Sequence, residues 1–139
     1  SNRIYDCASA CVRVDDESDP ILRDNDIHSG QGAGVCVQDN GLGTLERNEI
    51  RAHAGSGLVI VSGADPVVTG NAIHRNRLHG VQASSGGGGT LDRNDIFQNV
   101  LSGVFVDQEA NPSVSRNTIR NGLGPGVTVT AEGRGRFDE

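Results

Sequence analysis

The stretch LDRNDIFQNVLSGVFV, residues 91–106, carries the pattern that decides the fold. Asn94 is followed two residues later by Ile96 and nine residues later by Gly103. Two valines, Val104 and Val106, follow the glycine and flank one further residue. The same arrangement returns every 23 residues in both directions along the chain, so the chain is built from repeats.

Six columns of like residues define the repeat. The Asn column contains Asn25, Asn48, Asn71, Asn94 and Asn117. The Ile column contains Ile27, Ile50, Ile73, Ile96 and Ile119, and the Gly column contains Gly34, Gly57, Gly80, Gly103 and Gly126. The first aliphatic column directly follows the glycine and contains Val35, Leu58, Val81, Val104 and Val127. The second lies two residues further on and contains Val37, Ile60, Ala83, Val106 and Val129. A third, three residues before each Asn, contains Leu22, Leu45, Val68, Leu91 and Val114.

Apolar residues alternate with other residues inside each copy, which is the period of a β-strand. Three short apolar pieces per copy predict three short strands. One copy cannot bury its apolar face alone, so the copies stack, with each strand parallel to its equivalent about 4.8 Å away. The sequence therefore predicts an all-β fold, a right-handed parallel β-helix solenoid of about six 23-residue turns with three parallel sheets. The right hand follows the general rule for parallel crossovers.

The Asn column falls between two strands a few residues apart, where the chain bends sharply. We expect the Asn residues to adopt the left-handed conformation at this bend and their side chains to form a hydrogen-bonded structural ladder. The Gly column is expected to need positive φ or a close approach. A second, longer period of two repeats is also present. Pro20, Pro66 and Pro112 stand in alternate repeats, and Gly43, Gly89 and Gly135 stand at the same position in the others.

Composition excludes several functional classes. The net charge is -6 and all 12 basic residues are Arg, with no basic run, so no nucleic-acid partner is expected. No apolar run approaches the length of a membrane span, so no membrane partner is expected. The three cysteines, Cys7, Cys11 and Cys36, form no disulfide framework, which favours a reducing compartment such as the cytoplasm.

Residues 1–139 are expected to form one domain, a piece of a longer chain with further repeats or with ends that pair between molecules.

The pattern Asn-x-Ile, Gly-Val-x-Val and an Asn/Asp-Pro or Gly-x-Gly turn resembles the right-handed parallel β-helix repeat family of the pectate-lyase-like superfamily. Turns such as Gly133-Arg134-Gly135 are most similar to repeats of β-helix-containing F-box proteins and their bacterial relatives. The resemblance implies the fold and a recognition role. Ubiquitin chemistry is not carried over, because the chain contains no F-box.

Candidate catalytic groups are scarce. Lys is absent, and the single Tyr is Tyr5. His53, His74 and His79 could approach one another across adjacent turns and share a metal or catalytic role, but we expect them to be solvated turn residues. His28 and His74 lie two turns apart, which is too far to share a metal. The acidic run 15–19 could hold calcium but is expected to be a solvated rim. We therefore expect no catalytic residue, no metal and no cofactor.

Two columns of outward side chains are the candidate binding residues, because parallel stacking sets them in straight rows. One column, which directly follows the Gly-Val pair and is called the sheet B column below, contains Cys36, Val59, Gln82, Phe105 and Thr128 and is unusually apolar. The other, which directly follows the Ile and is called the sheet A column below, contains His28, Arg51, His74, Phe97 and Arg120. Aromatic and Arg side chains are enriched at binding hot spots.

Taken together, these patterns favour a non-catalytic recognition scaffold that binds a protein partner or a polysaccharide along a β-helix face. An alternative is a carbohydrate-active module, a polysaccharide lyase or an epimerase, whose catalytic loops lie outside this piece. A third reading is an architectural spacer.

Overall fold

The computed structural model describes all 139 residues and contains eighteen three-residue strands and no helix. The chain forms six coils, each a 23-residue turn of the solenoid, and each coil contributes one strand to each of three sheets. All strand pairs are parallel, with each residue opposite the one 23 positions away, as in Ile50, Ile73 and Ile96. The predicted all-β solenoid with three parallel sheets is confirmed.

The three sheets are named here by the order in which the chain enters them. Sheet A contains β1 (Arg3–Tyr5), β4 (Asp26–His28), β7 (Glu49–Arg51), β10 (Ala72–His74), β13 (Asp95–Phe97) and β16 (Thr118–Arg120). Sheet B contains β2 (Val12–Val14), β5 (Val35–Val37), β8 (Leu58–Ile60), β11 (Val81–Ala83), β14 (Val104–Val106) and β17 (Val127–Val129). Sheet C contains β3 (Ile21–Arg23), β6 (Thr44–Glu46), β9 (Val67–Thr69), β12 (Thr90–Asp92), β15 (Ser113–Ser115) and β18 (Arg136–Asp138).

The core is a stack of aliphatic columns. Sheets A and C point the central residue of each strand inward, whereas sheet B points the first and third residues inward. Ile27, Ile50, Ile73 and Ile96 are fully buried, and Val35 and Val37 are buried beside them from sheet B. The strand alternation that buries these residues therefore places the sheet B centre and the sheet A ends on the outer surface.

The bend between sheets C and A, which we call the C–A turn, is only two residues long. The left-handed residue is the one before each Asn, with φ between 53° and 65°: Asp24, Arg47, Gly70, Arg93 and Arg116. The expectation that the Asn itself adopts this conformation is wrong. The bend is completed one residue earlier, which leaves the Asn side chain free to point into the stack.

The Gly column lies against the coil above it. A Cβ added at Gly57 would come within 2.6 Å of the Ile73 Cγ2 atom and within 2.7 Å of the Asn76 Nδ2 atom. None of the five glycines of the column has a positive φ. Close approach, and not a left-handed backbone, is therefore what requires glycine here.

The alternation of Pro and Gly has a hydrogen-bonding explanation. The N–H group of Gly43 donates to the Asp19 Oδ1 atom at 3.0 Å, and the N–H group of Gly89 donates to the Asp65 Oδ1 atom at 2.8 Å. Asp19 directly precedes Pro20, one coil below Gly43. Since proline has no N–H group, the donor can come only from the glycine-bearing coils, and a two-coil period results.

Candidate recognition faces

The sheet A column forms two groups of stacked side chains. The His74 ring stacks on the Phe97 ring with centroids 4.4 Å apart, and the Arg120 guanidinium lies 4.3 Å from the centroid of the same Phe97 ring. The Tyr5 and His28 rings stack at 5.1 Å. The first group is therefore a continuous stack over coils 4 to 6, with Phe97 between an imidazole and a cation.

Carboxylates in the neighbouring row of sheet A contact Arg51, His74 and Arg120 of this column. The Arg51 guanidinium lies 3.0 Å from the Asp26 Oδ2 atom and 3.5 Å from the Glu49 Oε1 atom. The His74 Nε2 atom lies 3.0 Å from the same Glu49 Oε1 atom. Arg120 pairs with the Asp95 carboxylate at 2.8 Å. Arg51, His74 and Arg120 thus each have a carboxylate partner along the face, which fixes the orientation of their side chains.

Exposure differs along the sheet A column. The His74 side chain is only 6% exposed, and its Nδ1 atom is buried without a hydrogen-bond partner. His28 is half-buried, and its Nε2 atom also lacks a partner. A ligand on this face would meet Phe97 and Arg120 before it met His74.

Sheet B presents its central column as a row of half-buried side chains, Cys36, Val59, Gln82, Phe105 and Thr128. Three of these side chains, Gln82, Phe105 and Thr128, contact the A–B turn, the six-residue segment that joins each sheet A strand to the next sheet B strand.

Contacts with that turn hold these three side chains. The Phe105 ring stacks on the His79 ring at 4.3 Å, and the Thr128 hydroxyl lies 2.7 Å from the Ser102 hydroxyl. The Gln82 Oε1 atom accepts a hydrogen bond from the Ser56 hydroxyl at 3.2 Å. Burial raises the pKa of the Cys36 thiol, so this thiol is protonated at neutral pH.

His53 is the main difference from the sequence-based expectations. It is fully buried, and not a solvated turn residue. Its Nδ1 atom accepts a hydrogen bond from the Gly30 N–H group at 3.1 Å, and its Nε2 atom lies 3.0 Å from the Ile27 carbonyl oxygen. These partners require the neutral ring with the proton on Nε2, and burial lowers the pKa of His53.

The A–B turn contains an inner column that the sequence reading missed. Its members are Cys7, Gly30, His53, Asn76, Asn99 and Gly122, one in each coil. The His53 N–H group donates to the Asn76 Oδ1 atom at 3.1 Å, and the Asn76 N–H group donates to the Asn99 Oδ1 atom at 3.2 Å. The 23-residue spacing of Asn76 and Asn99 was the available signal.

The remaining candidate residues form no site. His79 accepts a hydrogen bond on Nδ1 from the Ser102 N–H group, and burial lowers its pKa. In the acidic run, Asp15 pairs with Arg13 at 2.9 Å. No group of three or more His, Cys, Asp or Glu side chains is arranged to hold a metal ion. The three cysteines are half-buried free thiols, and burial raises the pKa of Cys11 to about 11. No helix long and apolar enough to cross a membrane is present.

Comparison with known proteins identifies the fold of the chain. The family model described as a right-handed beta helix region matches residues 10–138. No curated protein sequence matches the chain. A solved structure, the A-module of the Azotobacter vinelandii mannuronan C-5 epimerase AlgE6, matches with a TM-score of 0.63 and 17% sequence identity. The match covers 90% of this chain and 40% of that one, so the chain spans about two fifths of the module. Similarity to F-box repeats stays a prediction.

Proposed function

This chain belongs to the right-handed β-helix family, and from that premise we propose that it is a non-catalytic recognition scaffold that binds a protein or a glycan along a face of the β-helix. The observation that carries the proposal is the stack of His74, Phe97 and Arg120 on sheet A. Phe105 of sheet B is likewise held in place by His79. Aromatic rings fixed before binding lose little conformational entropy when a ligand covers them.

The engagement of three of the four histidines supports recognition over catalysis. A general base needs a nitrogen that can reach a substrate proton. His53 uses both ring nitrogens inside the turn, and the Nδ1 atom of His79 accepts a backbone hydrogen bond. The His74 Nε2 atom lies against the Glu49 carboxylate, and its Nδ1 atom is buried.

The Asn column has a proposed structural role, that of a stabilising ladder. The Asn71 N–H group donates to the Asn94 Oδ1 atom at 2.9 Å, and the Asn71 Nδ2 atom donates to the Leu45 carbonyl oxygen at 2.8 Å. The Asn48 N–H group donates in turn to the Asn71 Oδ1 atom at 2.8 Å. Each side chain thereby satisfies backbone groups of its neighbours at a bend where strand pairing is interrupted.

The alternative function is a carbohydrate-active module. The similarity to the epimerase A-module favours it, because that protein is an enzyme of mannuronan. At 17% identity the similarity concerns the fold, and one fold hosts many functions. The alternative places its catalytic groups outside this chain.

Retention on immobilised acidic and neutral polysaccharides tests glycan recognition. The double variant Phe97→Ala/Phe105→Ala is compared with a control, Ile21→Ala/Val67→Ala, whose side chains are 65% and 44% exposed on sheet C. Retention that is lost in the face variant and kept in the control supports the proposal. Retention that survives in the face variant contradicts it for these two faces. If no polysaccharide retains the chain, recognition applies to proteins and is tested by the peptide selection described below.

A further inference from the structure

The A–B turns of coils 4 to 6 carry an exposed apolar ridge. Its members are Leu78, Val100, Leu101 and Leu123, which are 42%, 40%, 43% and 83% exposed. The Leu101 N–H group donates to the Leu78 carbonyl oxygen at 2.9 Å, so these turns stack in register like the strands. The ridge is continuous over three coils, at a spacing of about 4.8 Å per coil.

The A–B turns that carry the ridge contain charged side chains of one sign only. Among residues 75–80, 98–103 and 121–126, the only charged side chains are those of Arg75 and Arg77. Both are exposed, and neither takes part in any ion pair. The chain as a whole has a net charge of -6, so this segment departs from the rest of the molecule.

The equivalent turns of coils 1 to 3 lack both features. Residues 6–11, 29–34 and 52–57 contain no Leu, Ile, Val or Arg, and their one acidic residue is Asp6. Small side chains such as Ala52 and Ala54 leave a shallow hollow there, bordered at one end by Arg77. The ridge is therefore confined to one half of the solenoid, and the repeat itself does not require it.

We infer that the ridge of Leu78, Val100, Leu101 and Leu123 is the docking site for an acidic, aliphatic segment of a protein partner. This inference rests on the proposed recognition function and assigns one location and one partner class to it. Aliphatic side chains of the partner cover the ridge, and its carboxylates pair with Arg75 and Arg77.

Two physical arguments favour this partner. Contiguous exposed apolar side chains are typical of interaction sites. Unpaired arginines beside such a patch select carboxylates through charge-assisted hydrogen bonds, which a neutral glycan cannot supply. The ridge also lies between the sheet A column, which contains Phe97, and the sheet B column, which contains Phe105, because the A–B turn joins sheets A and B.

Selection of binders from a displayed random-peptide library on the full chain tests the inference. The enriched peptides are expected to combine aliphatic residues with more Asp and Glu than Lys and Arg. The double variant Leu78→Ser/Leu101→Ser should weaken the binding of a selected synthetic peptide by about tenfold or more. Arg75→Gln/Arg77→Gln should weaken it less and reduce the salt dependence of binding. The control Ile21→Ser/Val67→Ser, on sheet C, should bind as the wild type does.

The outcomes separate this inference from the proposed function. Peptides that are basic, or that bind the ridge variant as tightly as the wild type, overturn the ridge site. If Phe97→Ala or Phe105→Ala weakens the binding of the peptides and the ridge variant does not, the ridge site is overturned and the proposed recognition function stands. Sedimentation that shows a dimer abolished by the ridge variant identifies a second copy as the occupant and overturns the acidic partner. No binders, together with no polysaccharide retention, contradict both proposals.

Discussion

The Asn column at the C–A turn and the inner column of the A–B turn both accept backbone hydrogen bonds, but they differ in how much the residue at the position varies. The Asn column at the C–A turn has the same residue in coils 2 to 6, whereas the A–B column changes from Asn76 and Asn99 to His53 and to Gly30. The C–A turn has two residues and the A–B turn has six. A two-residue bend offers its backbone groups few other partners, so one side chain must serve every coil. The backbone of the longer turn bonds from coil to coil, as from the Ala54 N–H group to the Gly30 carbonyl oxygen, so its inner position tolerates other residues.

Hydrogen-bond geometry agrees with this difference. In the Asn column the backbone N–H groups reach the next Oδ1 atom at 2.8 to 3.0 Å. In the A–B column the corresponding distances are 3.1 and 3.2 Å. The comparison implies that the C–A turn is the stricter element of the repeat. Four substitutions, ordered from the largest expected effect to the smallest, probe the two columns and, as a reference outside them, Phe105.

Substitution of Ile73 by Asp breaks both columns at once. Ile73 is fully buried between Asn71 and Asn76, and its carbonyl oxygen accepts a hydrogen bond from the Asn99 Nδ2 atom. An unpaired charge in this position costs more than the stability of most domains, so the chain should be unfolded at room temperature by circular dichroism. The control Ile73→Val should cost only about 1 kcal/mol. A native-like melting curve for Ile73→Asp would show that Ile73 is not in the core.

Substitution of Asn71 by Ala tests the stricter column alone. It leaves the buried N–H group of Asn48 without an acceptor and removes a donor from the Leu45 carbonyl oxygen. We expect a loss of about 2–4 kcal/mol in urea unfolding, since each unsatisfied buried group costs about 1–3 kcal/mol. The matched variant Asn76→Ala should lose less. An equal or larger loss in Asn76→Ala would contradict the comparison.

Acidification separates the columns, because only the A–B column contains a histidine. Burial lowers the pKa of His53 below its ordinary value of 6.5, so the unfolded chain binds the proton more readily than the folded chain. Stability should therefore be highest above pH 6.5 and fall as the pH drops below it. His79 is shifted the same way, so the variants are built on a His79→Gln background.

The variant His53→Asn restores the residue that coils 4 and 5 carry in this column. It should fold and should flatten the dependence of urea unfolding on pH between neutrality and mild acid. A pH dependence that is unchanged in His53→Asn would show that His53 is not its source.

Substitution of Phe105 by Ala should have the smallest effect, because Phe105 lies outside both columns. Its ring is half-buried and contacts the His79 ring. We expect a loss of about 1 kcal/mol in thermal or urea unfolding, well below the cost of about 3–5 kcal/mol for a core Phe. A loss of about 3 kcal/mol or more would identify Phe105 as core and remove it from the recognition face.

The sequence predicted most of the fold because every strand occurs six times in the same register. Strand alternation settled which residues of the Ile and Val columns point inward, and the spacing of Asn71 and Asn94 settled the coil length. The left-handed positions could not be found in this way. Arg47, Arg93 and Arg116 are not residue types that signal a positive φ, whereas Gly70 and, more weakly, Asp24 are.

The candidate sites were less predictable because turns lack the alternation of strands. His53 could not be called buried from its residue type, although its spacing from Asn76 and Asn99 indicated a shared position. The exposure of the ridge depends on where six-residue turns direct Leu101 and Leu123, which no periodicity fixes. The two columns expected to face outward lie on sheets A and B, with His74 of the sheet A column buried, and their use in binding stays a prediction.

The most direct test of recognition without catalysis is an incubation of the chain with uronate-containing and neutral polysaccharides, followed by NMR spectroscopy of the sugars. The account predicts unchanged sugar spectra, whether or not a polysaccharide binds. New unsaturated sugar residues, or residues with inverted C-5 configuration, would contradict the account and assign the chain to the carbohydrate-active alternative.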